Sequence, residues 1–156
     1  MSAMTIPLPV TAALVPPSPS VLGKLNQIHE WTLAFPQAEI ATEHLLHGGM
    51  YARTIRLEPE TLMNGSLIKL ATILIIQGSC AVVIGDRVVE LVGYNVIPGC
   101  VGRKQSFVTR GPVEMTMIFS TQAENITKAE DEVFAEAGQL ISRKNGSRDT
   151  ITITGQ

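Results

Sequence analysis

Charged residues are scarce in this 156-residue chain: they make up 17% of it, 12 basic against 14 acidic, for a net charge of −2. No basic excess is available to neutralise a phosphate backbone or an anionic bilayer, which argues against nucleic acid and membrane surfaces as main partners. Cysteine is nearly absent. Cys80 and Cys100 stand twenty apart without a Cys-x-x-Cys pair and read as small buried hydrophobes, not as a disulfide or metal framework. Long apolar runs are missing too. The richest, Gly65–Gly78 (GSLIKLATILIIQG), spans fourteen residues and contains Lys69, Thr72 and Gln77, short of the ~18 that a membrane helix needs. The N-terminus shows no basic segment followed by a long apolar core and cleavage site, so a secretory signal is not expected.

What is present is apolar. Hydrophobic residues make up 45% of the chain and the mean hydropathy is +0.22, which suggests that part of the surface is covered by partner subunits. A domain of this size buries roughly 68–70% of the surface that its unfolded chain exposes, enough for a core without staples.

Five of the nine prolines (Pro7, Pro9, Pro16, Pro17, Pro19) lie in the first nineteen residues. They predict an extended arm over 1–19, suited to lying on another subunit. From Ser20, taken as N-cap, Val21, Leu22, Leu25 and Ile28 have helical spacing. From Met50 onward, short β-branched runs alternate with Gly, Pro and Asn-Gly: MYARTIRL, TLM, LIKLATILIIQ, SCAVVIG, RVVELVG, NVIPG, SFVTR and VEMTMIF. Regularly spaced short strands indicate a sandwich or barrel. VVIGDRVVEL predicts a hairpin in which Gly85-Asp86 supplies positive φ angles. NITKAEDEVFAEAGQLISRK predicts one amphipathic helix, with Thr127 and Glu130 as a capping box and Arg143 and Lys144 at its end. The strict Thr/Ile alternation of Thr150–Thr154 predicts an added edge strand, within the subunit or donated to another. The expected organisation is an arm over 1–19, a barrel domain with flanking helices over 20–145, and an extended tail over 146–156.

A glycine before a strand, a second glycine ending it, a hairpin, and then GYNVIPGCVGRK with its Pro98-Gly99 turn resemble the rhythm of the cupin barrel. His47-Gly48-Gly49, Tyr51, Arg53, the Pro59–Thr61 turn, Gly65, Pro98-Gly99 and Arg103-Lys104 sharpen this into a resemblance to small cupin-like proteins encoded by tailed bacteriophages, over about residues 37–145. The resemblance implies a mainly β, cupin-like jelly-roll barrel, with a short N-terminal helix and a C-terminal amphipathic helix. Metal-binding cupins carry two histidines and a carboxylate in their first motif and a histidine after the Pro-Gly turn. This sequence departs from that pattern. No His, Asp, Glu or Cys lies between Gly65 and Gly78, and Cys100, Val101, Gly102 and Arg103 follow Pro98-Gly99. No metal and no other cofactor is therefore expected inside the barrel.

Candidate sites remain outside that motif. His44 and His47, three apart, would share one side of a helical turn with Glu43 beside them, a set too small for a structural zinc site; the plainer reading is that they hydrogen-bond the entry loop to the barrel. Tyr51 and Arg53 alternate onto one strand face with Ile55. His47, Tyr51, Arg53 and Arg103 are the candidate ligand or interface residues. Arg103, Lys104 and Arg110 read as a solvated basic loop. Gly48-Gly49 lacks the Gly-Lys-Ser/Thr of a phosphate loop, and no serine sits in a Gly-x-Ser-x-Gly elbow. The expected role is a non-enzymatic structural protein of a phage virion, in capsid decoration or the tail, with itself and other virion proteins as partners. The alternative is a metal-free module that binds a small molecule or carbohydrate.

Overall fold

The structure, a computed structural model, describes residues 13–144 and 148–155. Helix α1 (Pro19–Thr32) begins two residues earlier than expected. Ser18, not Ser20, is the N-cap: its hydroxyl accepts from the Val21 amide at 3.3 Å, and Pro19 occupies the first turn, where a missing N–H costs nothing. The strands are β1 (Thr42–His47), β2 (Met50–Leu57), β3 (Leu62–Asn64), β4 (Thr72–Ile84), β5 (Arg87–Gly99) and β6 (Ser106–Ser120); helix α2 (Ile126–Val133) and strand β7 (Asp149–Thr154) follow. They form one sheet ordered β5-β4-β6-β2-β1-β7, with β3 paired to β6. The class is mainly β, as expected.

Several expected short strands are halves of long ones. LIKLATILIIQ and SCAVVIG meet in β4, RVVELVG and NVIPG in β5, and SFVTR and VEMTMIF in β6. Glycine at 78 lets β4 continue. There the β4–β6 register shifts, Gly78 takes φ +130°, and a Cβ on it would stand 2.4 Å from the Pro112 carbonyl oxygen. Only the second half of the Gly65–Gly78 run is strand; residues 65–71 are loop and bridge, fastened where the Ile68 amide donates to the Arg103 carbonyl at 2.9 Å. The β4–β5 hairpin forms as predicted around Gly85-Asp86, but only Gly85 has positive φ, which suffices when glycine leads a two-residue loop.

Pro98-Gly99 is not a turn. Both residues close β5, an edge strand where proline is tolerated. Leu14 lies along that edge: its amide donates to the Pro98 carbonyl at 2.8 Å, and its carbonyl accepts from Cys100 N at 2.9 Å. Its side chain is fully buried. The described end of the N-terminal arm thus packs on its own subunit, while residues 1–12, on which most of the expected arm falls, lie outside the described residues. At the opposite edge β7 pairs parallel with β1 in the same chain.

The expected long C-terminal helix is a single short one. Asn125, not Thr127, caps α2 through the Lys128 amide, and Phe134 is extended. The chain then continues through two 3-10 turns, Ala137–Gln139 and Ile141–Arg143. The break brings the Phe134 ring beneath the Arg53 guanidinium, 5.1 Å from its carbon, and pairs Phe134 with Ile68. A straight helix could not fold back over the sheet in this way.

Candidate functional site

The inner face of the sheet, the end of α1 and the segment after α2 enclose a cavity of about 570 Å³. Cross-strand register builds its wall. Leu74 of β4 lies opposite Met117 of β6, Met117 opposite Arg53 of β2, and Met115 opposite Ile55. All of these line the cavity, as do Phe107 and Phe134. At the rim stand Trp31 and Phe35, 65% and 49% exposed, with their rings edge to face at 4.9 Å.

Arg103 was expected in a solvated loop and instead is 5% exposed at the cavity wall. Its stem lies over Gly99, where a Cβ would meet Nε at 2.6 Å. Nη1 donates to Gln105 Oε1 at 2.6 Å, and Nη2 donates to Thr72 Oγ1 at 3.1 Å and contacts Met117 Sδ at 3.5 Å. Its partners are neutral. Burial lowers its pKa to about 10, opposed by the nearby Cys100, so the group remains charged at neutral pH. Nε of Arg103, Nε2 of Gln105 and the Ser66 hydroxyl are buried without hydrogen-bond partners, and all three residues line the cavity. Lys104 is also buried, with Nζ 3.4 Å from His29 Nδ1, while Arg110 is exposed and pairs with Glu90.

Tyr51, Arg53 and His44 form one chain of polar contacts. His44 Nε2 donates to Asp149 Oδ2 at 2.9 Å, which leaves Nδ1 to accept the Tyr51 hydroxyl at 2.6 Å. Arg53 Nη1 approaches that hydroxyl at 3.4 Å and pairs with Glu130, which Arg143 Nε also reaches at 3.0 Å. Burial, ahead of an opposing influence from Arg53, pushes the Tyr51 pKa up to about 12. Tyr51 is fully buried behind the cavity wall; Arg53 reaches the cavity itself. The network ties β7, β1, β2 and α2 together.

The histidine pair is not a pair. Residues 42–47 are strand, so a spacing of three sends the side chains to opposite faces: His44 is buried, and His47 is exposed with Nδ1 3.0 Å from Thr154 Oγ1. Among the described residues no group of three or more His, Cys, Asp and Glu side chains is placed to hold a metal. The cavity wall does not suit a divalent ion either: Leu74 and Met115 offer no hard donor, and the Arg103 guanidinium repels a cation. Thr72, Gln105 and Trp31 escaped the sequence reading as site residues. Gly99, directly opposite Thr72 in the ladder, was the available signal, since a glycine in a strand marks a close approach.

Among the described residues no helix is long and apolar enough to cross a membrane. No protein-family model and no curated protein matches the chain. Among solved structures it is similar to a cupin superfamily protein from Desulfitobacterium hafniense, with a TM-score of 0.45 and 13% identity over 56% of this chain and 83% of that one. It is also similar to a cupin-2 domain from Rhodospirillum rubrum (TM-score 0.44, 12% identity, 59% and 70% covered) and to KdgF from a Halomonas species (0.47, 13%, 58% and 86%).

Proposed function

We propose that this chain is a non-catalytic binding module that holds a small organic molecule in the cavity of its sheet. The observation that carries the reading is the cavity itself. Its volume of about 570 Å³ falls within the roughly 300–1,000 Å³ of small-molecule sites, and an apolar wall with few polar groups is the usual make-up of such sites. Binding without turnover is supported at Ser66, whose buried hydroxyl on the wall has no hydrogen-bond partner to take its proton, and at Ser142, whose contact with Glu130 is shared with two guanidinium groups that hold that carboxylate. Trp31, the sole tryptophan, stands at the rim and supplies the assay. A panel of small organic molecules should contain members that change its fluorescence saturably and raise Tm. Leu74→Trp, which fills the cavity, should abolish both effects while leaving the fold intact. Binding unaffected by Leu74→Trp would refute the cavity as the site.

The phage resemblance supports a second reading, a virion structural protein, and one observation favours an assembly role. On the outward face of the edge strand β5, Val88, Val92, Tyr94 and Val96 are each more than half exposed. Such a surface suits contact with another copy or with a capsid or tail subunit. Co-purification with particles would support that reading, and recovery of the protein solely from the cytosol of infected cells would oppose it.

A further inference from the structure

We infer that the cavity's ligand is an anion, a small carboxylate with an apolar body, whose head group sits on Arg103 and Gln105. The inference rests on the binding reading and adds the ligand's charge class. The deep wall is rich in donors and poor in acceptors. A guanidinium offers only N–H donors, and the groups that meet Arg103 are an amide oxygen, a hydroxyl and a thioether sulfur. Gln105 spends its carbonyl oxygen on Arg103, which leaves its amide N–H groups buried and unmatched. A buried cation without a counter-ion is costly, as are unmatched donors. An acceptor-only group bearing negative charge answers both needs, and a carboxylate matches a guanidinium in shape as well as charge. Arg53, also on the cavity, is not such a site, because Glu130 already neutralises it.

Around that cationic wall the surface is aliphatic, sulfur-bearing and aromatic: Leu74, Ile55, Met115 and Phe107, with Trp31 and Phe35 at the mouth. Such a lining fits a branched or aromatic hydrocarbon body and offers little to a polyhydroxylated sugar. The acid head and the apolar body are therefore selected by different residues.

The test uses matched pairs: benzoate with benzamide, phenylacetate with phenylacetamide, and 4-methylpentanoate with its amide, titrated calorimetrically into the full-length protein and into Arg103→Gln. The acids should bind the unmodified protein at least about tenfold more tightly than the amides. In Arg103→Gln that preference should collapse towards one while amide binding persists. Equal affinity for acids and amides in the unmodified protein would overturn the anion assignment and leave the binding module standing; that ratio decides even if Arg103→Gln does not fold. Absence of binding by every acid and amide would overturn both.

Discussion

Glu130 is the most buried acid of the polar network, and replacing it with Gln tests whether that network holds α2 and the segment after it to the sheet. The carboxylate is 2% exposed and accepts from Arg53, Arg143 and Ser142. Glu130→Gln keeps the shape, removes the charge, and leaves the Arg53 guanidinium without its counter-ion, while Arg143 retains Asp131 at 2.9 Å. Losing one partner of a buried pair costs about 3–5 kcal/mol. The Arg143 side chain is 24% exposed, so water recovers part of the loss and the lower end, about 3 kcal/mol, is expected. For a chain of this length that lowers Tm by roughly 6–12 °C. Urea unfolding followed by circular dichroism measures it directly. The double variant Arg53→Met/Glu130→Leu should regain part of the loss, because an apolar pair carries no desolvation cost. A loss below about 1 kcal/mol in Glu130→Gln would refute the idea that the network is held together by charge.

Three further outcomes follow from the same geometry. Gly78→Ala forces a Cβ against the Pro112 carbonyl at a φ of +130° and should cost about 2–4 kcal/mol in urea unfolding, whereas Gly111→Ala, with open space around it, should cost under about 1 kcal/mol. Leu14→Ala removes a fully buried side chain from the β5 edge and should cost about 2–4 kcal/mol, with faster amide exchange at Cys100, whose N–H donates to the Leu14 carbonyl. Tyr51 keeps its proton in the folded state up to a pKa of about 12 against a reference of 10. Its contribution is complete below pH 10 and is lost as pH rises towards 12, so the stability of the unmodified protein should fall by about 2 kcal/mol more than that of Tyr51→Phe over that interval; parallel pH curves would contradict the assignment.

The strands were legible where local chemistry and tertiary structure agree. β2 matches its predicted run, and the Gly85-Asp86 hairpin is set by a two-residue loop that only a few residue pairs tolerate. Strand lengths were not legible, because Gly78 and Gly111-Pro112 read locally as breaks and become a bulge only once β4 and β6 are paired. The apolar stripe after Asn125 was real, yet tertiary contacts of Phe134 with Ile68 and Arg53 end the helix early. The shared side considered for His44 and His47 required a helical turn; the segment is a strand, where three-residue spacing means opposite sides. Arg103 was named as a candidate ligand residue, but its burial was not foreseen. Its burial depends on a bare Gly99 two strands away from Met117, a neighbourhood that only pairing creates.

The structure of the complex with the tightest-binding acid is the most direct test of a ligand cavity in this sheet. Crystals grown with that acid should show its carboxylate oxygens within hydrogen-bond reach of Arg103 and Gln105, and its apolar body against Leu74 and Met115. Density for the acid on the outer face of β5, or a cavity wall unchanged at saturating acid, would contradict the account.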